Sequence, residues 1–309
     1  MNPAPPNARP NPYVGPRSFS PGERLYGRDT ETRKLANLLG AERIVLLHSP
    51  SGAGKTSLVQ AALIPKMRER KFHVRPVARV NREPLRPQPG GNRYLFSALS
   101  SLEAAYPEAE QLPEAELAAL NLADYLLRRP KPAGVSYELF IFDQFEEVLT
   151  LDPTDRETKH AFFEQICGLL ADRTIWALFS IREDYLGALD PYLLPIPNRL
   201  NVTFRLDLLG EEAARAALQK PADGAGVTFD EAAAQALVDD LRRVQVQRPD
   251  GTFETHLGQH VEPVQLQVVG FRLWESLAAD DVTIDQNDLQ ALGDVGQALA
   301  EYYAGRAAA

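Results

Sequence analysis

The sequence predicts an α/β fold: a parallel-sheet domain followed by a smaller all-helical domain. Two observations predict it. Between Arg43 and Leu208, short apolar runs bounded by turn residues alternate with helix-period stretches, the pattern of parallel strands joined by helical crossovers. After Leu209 the apolar runs stop, and "EEAARAALQK", "DEAAAQALVDDLRRV", "PVQLQVVGFRLWESLA" and "QNDLQALGDVGQALAEYYAGRAAA" all carry helical periodicity. The expected organisation is a disordered Pro-rich tail and lead-in over residues 1–22, an α/β domain over 23–208 and a helical lid domain over 209–309.

Each element has a local cause. Pro3, Pro5, Pro6, Pro10 and Pro12 make residues 1–12 a tail, and "NPYVGPRSF" and "RLYGRD" punctuate an extended lead-in. Thr30–Gly40 is a short helix, with Leu35, Leu38 and Leu39 on one face and Gly40 as its stop. Arg43–His48 is a buried strand, and "GKTSLVQAALIPKMRER" is the helix after it, kinked or ended by Pro65. Phe72–Val80 is the next strand. "YLFSALSSLEAAY" and "EAELAALNLADYLLRR" are two helices. Tyr137–Asp143 and Thr174–Ile181 are buried strands flanking the helix "TKHAFFEQICGLLAD", and Val202–Leu208 is the last strand. In the helical part, "QRPDGTFE" carries an Asp250-Gly251 turn suited to a small hairpin, Leu273 and Trp274 are core, and His256 and His260 sit in a loop with no partner residues for a metal site.

Composition narrows the function classes. The 309 residues are 44% hydrophobic and 24% charged, as in soluble globular proteins. No apolar run approaches the roughly 20 residues of a membrane span, and the first residues have no secretory h-region. Cys167 is the single cysteine, which excludes an internal disulfide framework and fits a reducing cytoplasm; its helical setting predicts a buried core thiol. The net charge of −9 argues against general attraction to nucleic acid. The basic stretch Met67–Arg75 alternates in sign and suits a solvated helix end.

The chemistry concentrates in three places. "SPSGAGKTS", Ser49 to Ser57, follows a buried strand and opens a helix, the context a phosphate-binding loop requires. Gly52 and Gly54 lack Cβ, so the amides of Ser51, Gly52, Ala53 and Gly54 can close around phosphate oxygens, with the helix N-terminus adding positive field. Lys55 supplies a charge for the β and γ phosphates, Thr56 a hydroxyl for Mg²⁺, and Ser57 completes the motif. Ser49 stands where the usual pattern has its first glycine, a position a small residue can fill if its backbone angles are moderate. Second, in "LFIFDQFEEVLT", Asp143 ends an apolar strand and is placed to hold Mg²⁺, and Glu147 or Glu146 can orient or deprotonate an attacking water; both glutamates also suit a solvated helix start. Third, Arg182 ends another apolar strand, placed to sense a γ-phosphate or simply to pair with Asp184 or Glu183.

Together these segments resemble the nucleotide-binding module of the STAND class of P-loop NTPases, in particular the bacterial novel STAND group. "NPYVGPRSF", "LYGRDTE", "SPSGAGKTSLVQAALIP", "FIFDQFEEVLT", "SIREDYLGAL" and "VEPVQLQVVGFRLWE" carry the resemblance, from about residue 11 to 275. It implies a P-loop NTPase domain under a helical lid. It implies ATP or ADP with Mg²⁺, Gly27-Arg28 at the adenine and ribose, and Pro263 closing over the base; Pro263 also suits the first turn of its helix on structural grounds alone.

The resemblance further implies a slow ATPase switch, catalysed by Glu147 or Glu146 with Arg182. Such a switch self-associates when ATP replaces ADP and serves bacterial signalling, cell death or antiphage defence, with sensor and effector parts outside this chain. The expected state is therefore a homo-oligomer on activation, with no membrane partner. Whether these residues are a fragment or a stand-alone module is open. The alternative is a scaffold that holds nucleotide without hydrolysing it; a nucleic-acid motor is a third class that the acidic composition disfavours.

Overall fold

A computed structural model describes residues 9–83, 91–249 and 251–293. They pack as two compact units. One comprises Thr30–Ser51 and Ala62–Leu206; the other gathers the described residues up to Asp29, Gly52–Ala61 and those from Asp207 on.

In the first unit, α1 (Asp29–Glu42) leads into β1 (Ile44–Ser49). Then come β2 (Phe72–Val74), α3 (Arg93–Glu103), α4 (Leu122–Arg128), β3 (Tyr137–Phe142), α5 (Arg156–Leu170), β4 (Ile175–Arg182) and β5 (Thr203–Arg205). The helix between β1 and β2, α2, runs as Lys55–Ser57, a π-helical stretch Leu58–Leu63, and Ile64–Glu69, its residues up to Ala61 belonging to the other unit. The five strands form one parallel sheet in the order β2-β3-β4-β1-β5. β1, β3 and β4 are buried almost throughout, which is why they read as apolar runs without alternation. Their side chains join those of α3 and α5 in one core around Phe142, Phe145, Phe162 and Phe179. The Phe142 and Phe179 rings stack at 5.0 Å between centroids.

Several expectations change here. Of the two outcomes expected at Pro65, a kink or an end, the end does not occur: α2 runs on to Glu69, with the wide turns of Leu58–Leu63 just before Ile64 and Pro65, where a missing N–H is easiest to absorb. The Phe72–Val80 strand is cut to Phe72–Val74 because Pro76 has no N–H for the ladder, and pairing resumes only at Ala78, whose N–H reaches Ile141 O at 2.8 Å. The 114–129 helix splits into Glu114–Leu117 and α4, since Asn121 caps the second piece by accepting from Asp124 N at 2.8 Å. The last strand is shorter than Val202–Leu208. Arg75 does not coat a solvated helix end; it is buried and bonded to Glu138 at 2.7 Å. Cys167 is half-buried, just off the α5 face that carries Phe163 and Ile166 into the core.

The second unit holds β6 (Leu209–Gly210), α6 (Glu211–Gly224), β7 (Thr228–Phe229), α7 (Glu231–Leu241), β8 (Arg243–Gln247), β9 (Phe253–Leu257), β10 (His260–Val261), α8 (Pro263–Ser276), β11 (Thr283–Ile284) and α9 (Gln286–Leu292). Its core includes Leu218, Leu237, Val269 and Trp274, with Leu273 also fully buried. Strands do not stop after Leu209: short pairs β6–β10 and β7–β11 and the hairpin β8–β9 lie among the helices. They are two to five residues long, too short for a periodicity signal. His256 lies in β9 and His260 in β10, not in a loop. The hairpin expected around "QRPDGTFE" is present, although Asp250 lies outside the described residues, as does the expected helix from residue 294 on.

The tail expectation fails at residues 9–12. Arg9 donates to Asp281 O at 2.6 Å and Asn11 to Phe271 O at 3.0 Å. Tyr13 just beyond is 1% exposed, its hydroxyl donating to Leu218 O at 2.6 Å. A buried aromatic with a satisfied hydroxyl offsets the entropy of ordering a proline-rich segment.

Candidate functional site

The phosphate loop is built from backbone. Ser49 is the last residue of β1, wholly buried and extended, and its hydroxyl donates to Pro50 O at 2.7 Å. The position does not demand a left-handed residue, so serine fits where the motif has glycine. The turn itself does demand it: φ is 77° at Gly52 and 88° at Gly54, and Gly54 is the N-cap of α2 with no side chain to cap it. Ser51 is exposed, Ala53 is buried, and Lys55, Thr56 and Ser57 form the half-buried first turn of α2.

Neighbours within the same unit fix this loop. Arg28, 4% exposed, donates to Ala53 O at 3.0 Å and to Asp207 O at 2.7 Å. The Gly27-Arg28 pair thus grips the loop backbone, and Gly27 must be glycine, because a Cβ there would stand 2.4 Å from Ala213 O. The Ser57 hydroxyl accepts from Phe19 N–H at 3.1 Å, tying the lead-in motif to the helix. Pro263 opens α8, and its ring lies 4.0 Å from where a Gly54 Cβ would be. The proline that the resemblance sets over the base, and that also opens its helix, therefore stands beside the loop.

The acidic cluster is built from side chains at the carboxyl ends of β3 and β4. The sheet register sets Ser49 opposite Arg182, and Phe145 N–H bonds Ser180 O at 2.8 Å, so this edge holds the loop's first residue, Arg182 and the turn after β3. Asp143 is 1% exposed and lies 3.1 Å from Arg79 Nη2. Gln144 takes a left-handed φ of 53°, uncommon for a residue with a side chain, and its Oε1 accepts from the same Arg79. Phe145, fully buried in the aromatic core, pins the turn from below.

The two glutamates differ. Glu146 Oε2 accepts from Arg182 N–H at 3.3 Å. Glu147 accepts from Asn81 at 3.3 Å through Oε1, while its buried Oε2 has no hydrogen-bond partner among the described residues. Burial pushes the Glu147 carboxyl above its ordinary range; Arg79 opposes this and Glu146 adds to it. The Arg182 guanidinium lies over the Tyr185 ring and pairs with Asp184 at 2.5 Å, the local partner the sequence offered, and its buried Nε has no hydrogen-bond partner among the described residues. Arg79 and Asn81 were not singled out from sequence. Their signal is faint: both lie in "ARVN", directly after the strand interrupted by Pro76.

These residues fit a nucleotide and a hard cation. Two left-handed glycines and an uncapped helix start suit phosphate, and among the described residues Glu147 Oε2 and Arg182 Nε find no hydrogen-bond partner. Among the described residues no group of three His, Cys, Asp or Glu could hold a metal alone. Mg²⁺ commonly takes only one or two protein oxygens and completes its shell with phosphate and water, so it does not require such a group.

A parallel sheet whose first strand runs into a glycine loop and helix, and whose β3 ends on a buried aspartate, defines a P-loop NTPase. Residues 12–306 match the family Novel STAND NTPase 1, and the chain belongs to that family of nucleotide-binding NTPases. No curated protein matches it. Among solved structures, the Walker-type ATPase PABY2304 of Pyrococcus abyssi shares the fold with a TM-score of 0.55 at 16% identity, covering 94% of this chain and 79% of that one. The Aeropyrum pernix ORC2 protein in its ADPNP–ADP complexes aligns with a TM-score of 0.48 at 15% identity, over 77% of this chain and 66% of that one. Among the described residues no helix is long and apolar enough to cross a membrane.

Proposed function

We propose that the chain is a slow, Mg²⁺-dependent ATPase switch of bacterial signalling or defence, cytoplasmic, which changes conformation and self-associates when ATP replaces ADP. In this proposal Lys55 and the amides of Ser51–Gly54 hold phosphate, with Ser57 closing the motif. Thr56 and Asp143 are the oxygen donors for Mg²⁺, which when bound screens the charge of the phosphates. Arg28 and Pro263 serve the adenine side of the loop, Gly27 allowing the close approach that places Arg28. Glu147 takes the proton of the attacking water, Glu146 orients the Arg182 backbone, and Arg182 leaves Asp184 to meet the γ-phosphate.

One observation carries the hydrolytic role: Glu147 keeps a buried carboxylate oxygen with no partner among the described residues and a raised proton affinity beside Asp143, which suits a general base. Nucleotide titration and phosphate release test the proposal together. Lys55→Ala is expected to lose ATP affinity several-fold or more, about 1 kcal/mol or above. Glu147→Gln is expected to bind ATP and not turn it over. Unchanged binding in Lys55→Ala overturns the phosphate-loop assignment. Binding without any phosphate release in the unaltered chain replaces the switch by a nucleotide-holding scaffold.

A further inference from the structure

The β8–β9 hairpin is unlike the rest of its unit. Every residue of β8 and four of the five in β9 are exposed, and Val244, Val246, Phe253 and Leu257 among them are large and apolar. Among the described residues no third strand joins either edge. A lone two-stranded ribbon is marginal in water, and natural edge strands are usually guarded by Lys, Pro or a bulge. Neither strand here contains Lys or Pro; each carries one charged side chain, Arg243 on β8 and Glu254 on β9.

Hydrogen-bond parity shows which backbone groups of β9 face outward. Gly258 N–H donates to Arg242 O at 2.7 Å and Arg248 N–H to Thr252 O at 2.8 Å. The register between them pairs Arg243 with Leu257 through Gln247 with Phe253. Bonded and non-bonded pairs alternate along an antiparallel ladder. Glu254 and His256 therefore bond to β8, while the N–H and C=O groups of Phe253, Thr255 and Leu257 point away from it.

We infer that this edge pairs with a second copy of the chain, antiparallel, about a two-fold axis at Thr255. In that register Thr255 faces the partner's Thr255 and Phe253 faces the partner's Leu257. These are the residues whose backbone groups point outward, so about six inter-chain hydrogen bonds form without breaking the hairpin. The side chains agree with the backbone. On one face an aromatic ring meets an aliphatic chain at each end of the pairing. On the other, Glu254 stands opposite the partner's His256 in the non-bonded position, where side chains approach most closely. Glu254 and His256 already associate at 3.3 Å within one strand, so the pairing builds a four-residue acid–imidazole cluster.

The strand reads apolar, acid, threonine, imidazole, apolar, and is its own complement when turned end for end. β8 is not: its equivalent pairing would set Val244 against Val246 and Arg243 against Gln247, with no opposite charges, and Arg243 is held by Asp240 at 2.9 Å. The pairing uses no residue of the nucleotide site and does not depend on the switch proposed above. One five-residue strand makes a small contact, so the association is weak and concentration-dependent.

The test uses the full chain without nucleotide, in a Cys167→Ser background. Thr255→Cys is expected to give a disulfide-linked dimer under mild oxidation, because the axis sets the two Cα atoms about 5.5 Å apart. Gln245→Cys, at the centre of the other edge, is expected to stay monomeric. With the native strand, sedimentation equilibrium should show a monomer–dimer equilibrium that Thr255→Lys weakens by about tenfold or more. The unfolding temperature of Thr255→Lys should not change, since that side chain is exposed. Cross-linking through Gln245→Cys but not Thr255→Cys overturns the inference. So does a native chain that stays monomeric at every concentration while Thr255→Cys forms no link.

Discussion

The loop Gly52–Ser57 and the acidic turn after β3 both present polar groups, and they are made differently. The loop offers backbone: two left-handed glycines, a helix start, and an arginine that grips a carbonyl from outside. The turn offers side chains: Asp143 and Gln144 share one arginine, Glu146 and Glu147 diverge to different partners, and Phe145 anchors them in the core. A backbone device tolerates a changed side chain if the dihedral angles survive. A side-chain device fails when any partner of a buried charge is lost.

That contrast can be broken or sharpened by four substitutions. The largest effect is expected from Gly54→Val, which forces a β-branched residue into a φ of 88°. It should cost about 1–2 kcal/mol of stability and more than about tenfold in nucleotide affinity, measured by denaturant unfolding and titration. Next is Arg79→Met, which leaves Asp143 and Gln144 without their shared cation. A loss of about 2 kcal/mol is expected, and Met keeps the packing volume so that the charge is what is tested. Ser49→Gly restores the usual loop pattern. It should cost up to about 1 kcal/mol through backbone freedom in a buried strand while leaving nucleotide affinity unchanged; a large gain in affinity would show that serine does constrain the loop.

The smallest effect is Glu147→Gln on stability, and its sign is the informative part. The carboxyl is raised in the folded chain, so its ionised form is disfavoured there. Its contribution is favourable below the ordinary carboxylate range and is lost as pH rises through the raised value. The glutamine variant should therefore melt slightly higher than the native chain at neutral pH, and the difference should vanish in acid. A variant that melts lower at neutral pH would mean that the glutamate charge is well satisfied.

The same contrast explains what the sequence could tell. The three central strands were legible because burial on both faces writes unbroken apolar runs. The loop was legible because a backbone device needs glycine at fixed spacing, and Asp143 because a charge ending an apolar run is costly without purpose. Arg79 and Asn81 were not legible: they reach the turn from a segment 64 or more residues earlier, and only the β2–β3 pairing brings them there. Arg28 was placed at the nucleotide by resemblance, but its bond to Ala53 O follows from tertiary packing that no local pattern encodes. The short strand pairs among the later helices escaped for a different reason, since two residues carry no period.

Tyr13 has a consequence for the order of events on the ribosome. Its hydroxyl closes on Leu218, 205 residues further along, and its ring meets Trp274 later still. At a synthesis rate of about 5–20 residues per second, the hydroxyl of this tyrosine waits about 10–40 s before Leu218 exists. During that interval the whole sheet from β1 to β5 emerges. The unit that holds Tyr13 is thus completed only after the sheet has emerged, and this earlier-made aromatic segment has to be kept from other apolar surfaces until α6 and α8 arrive.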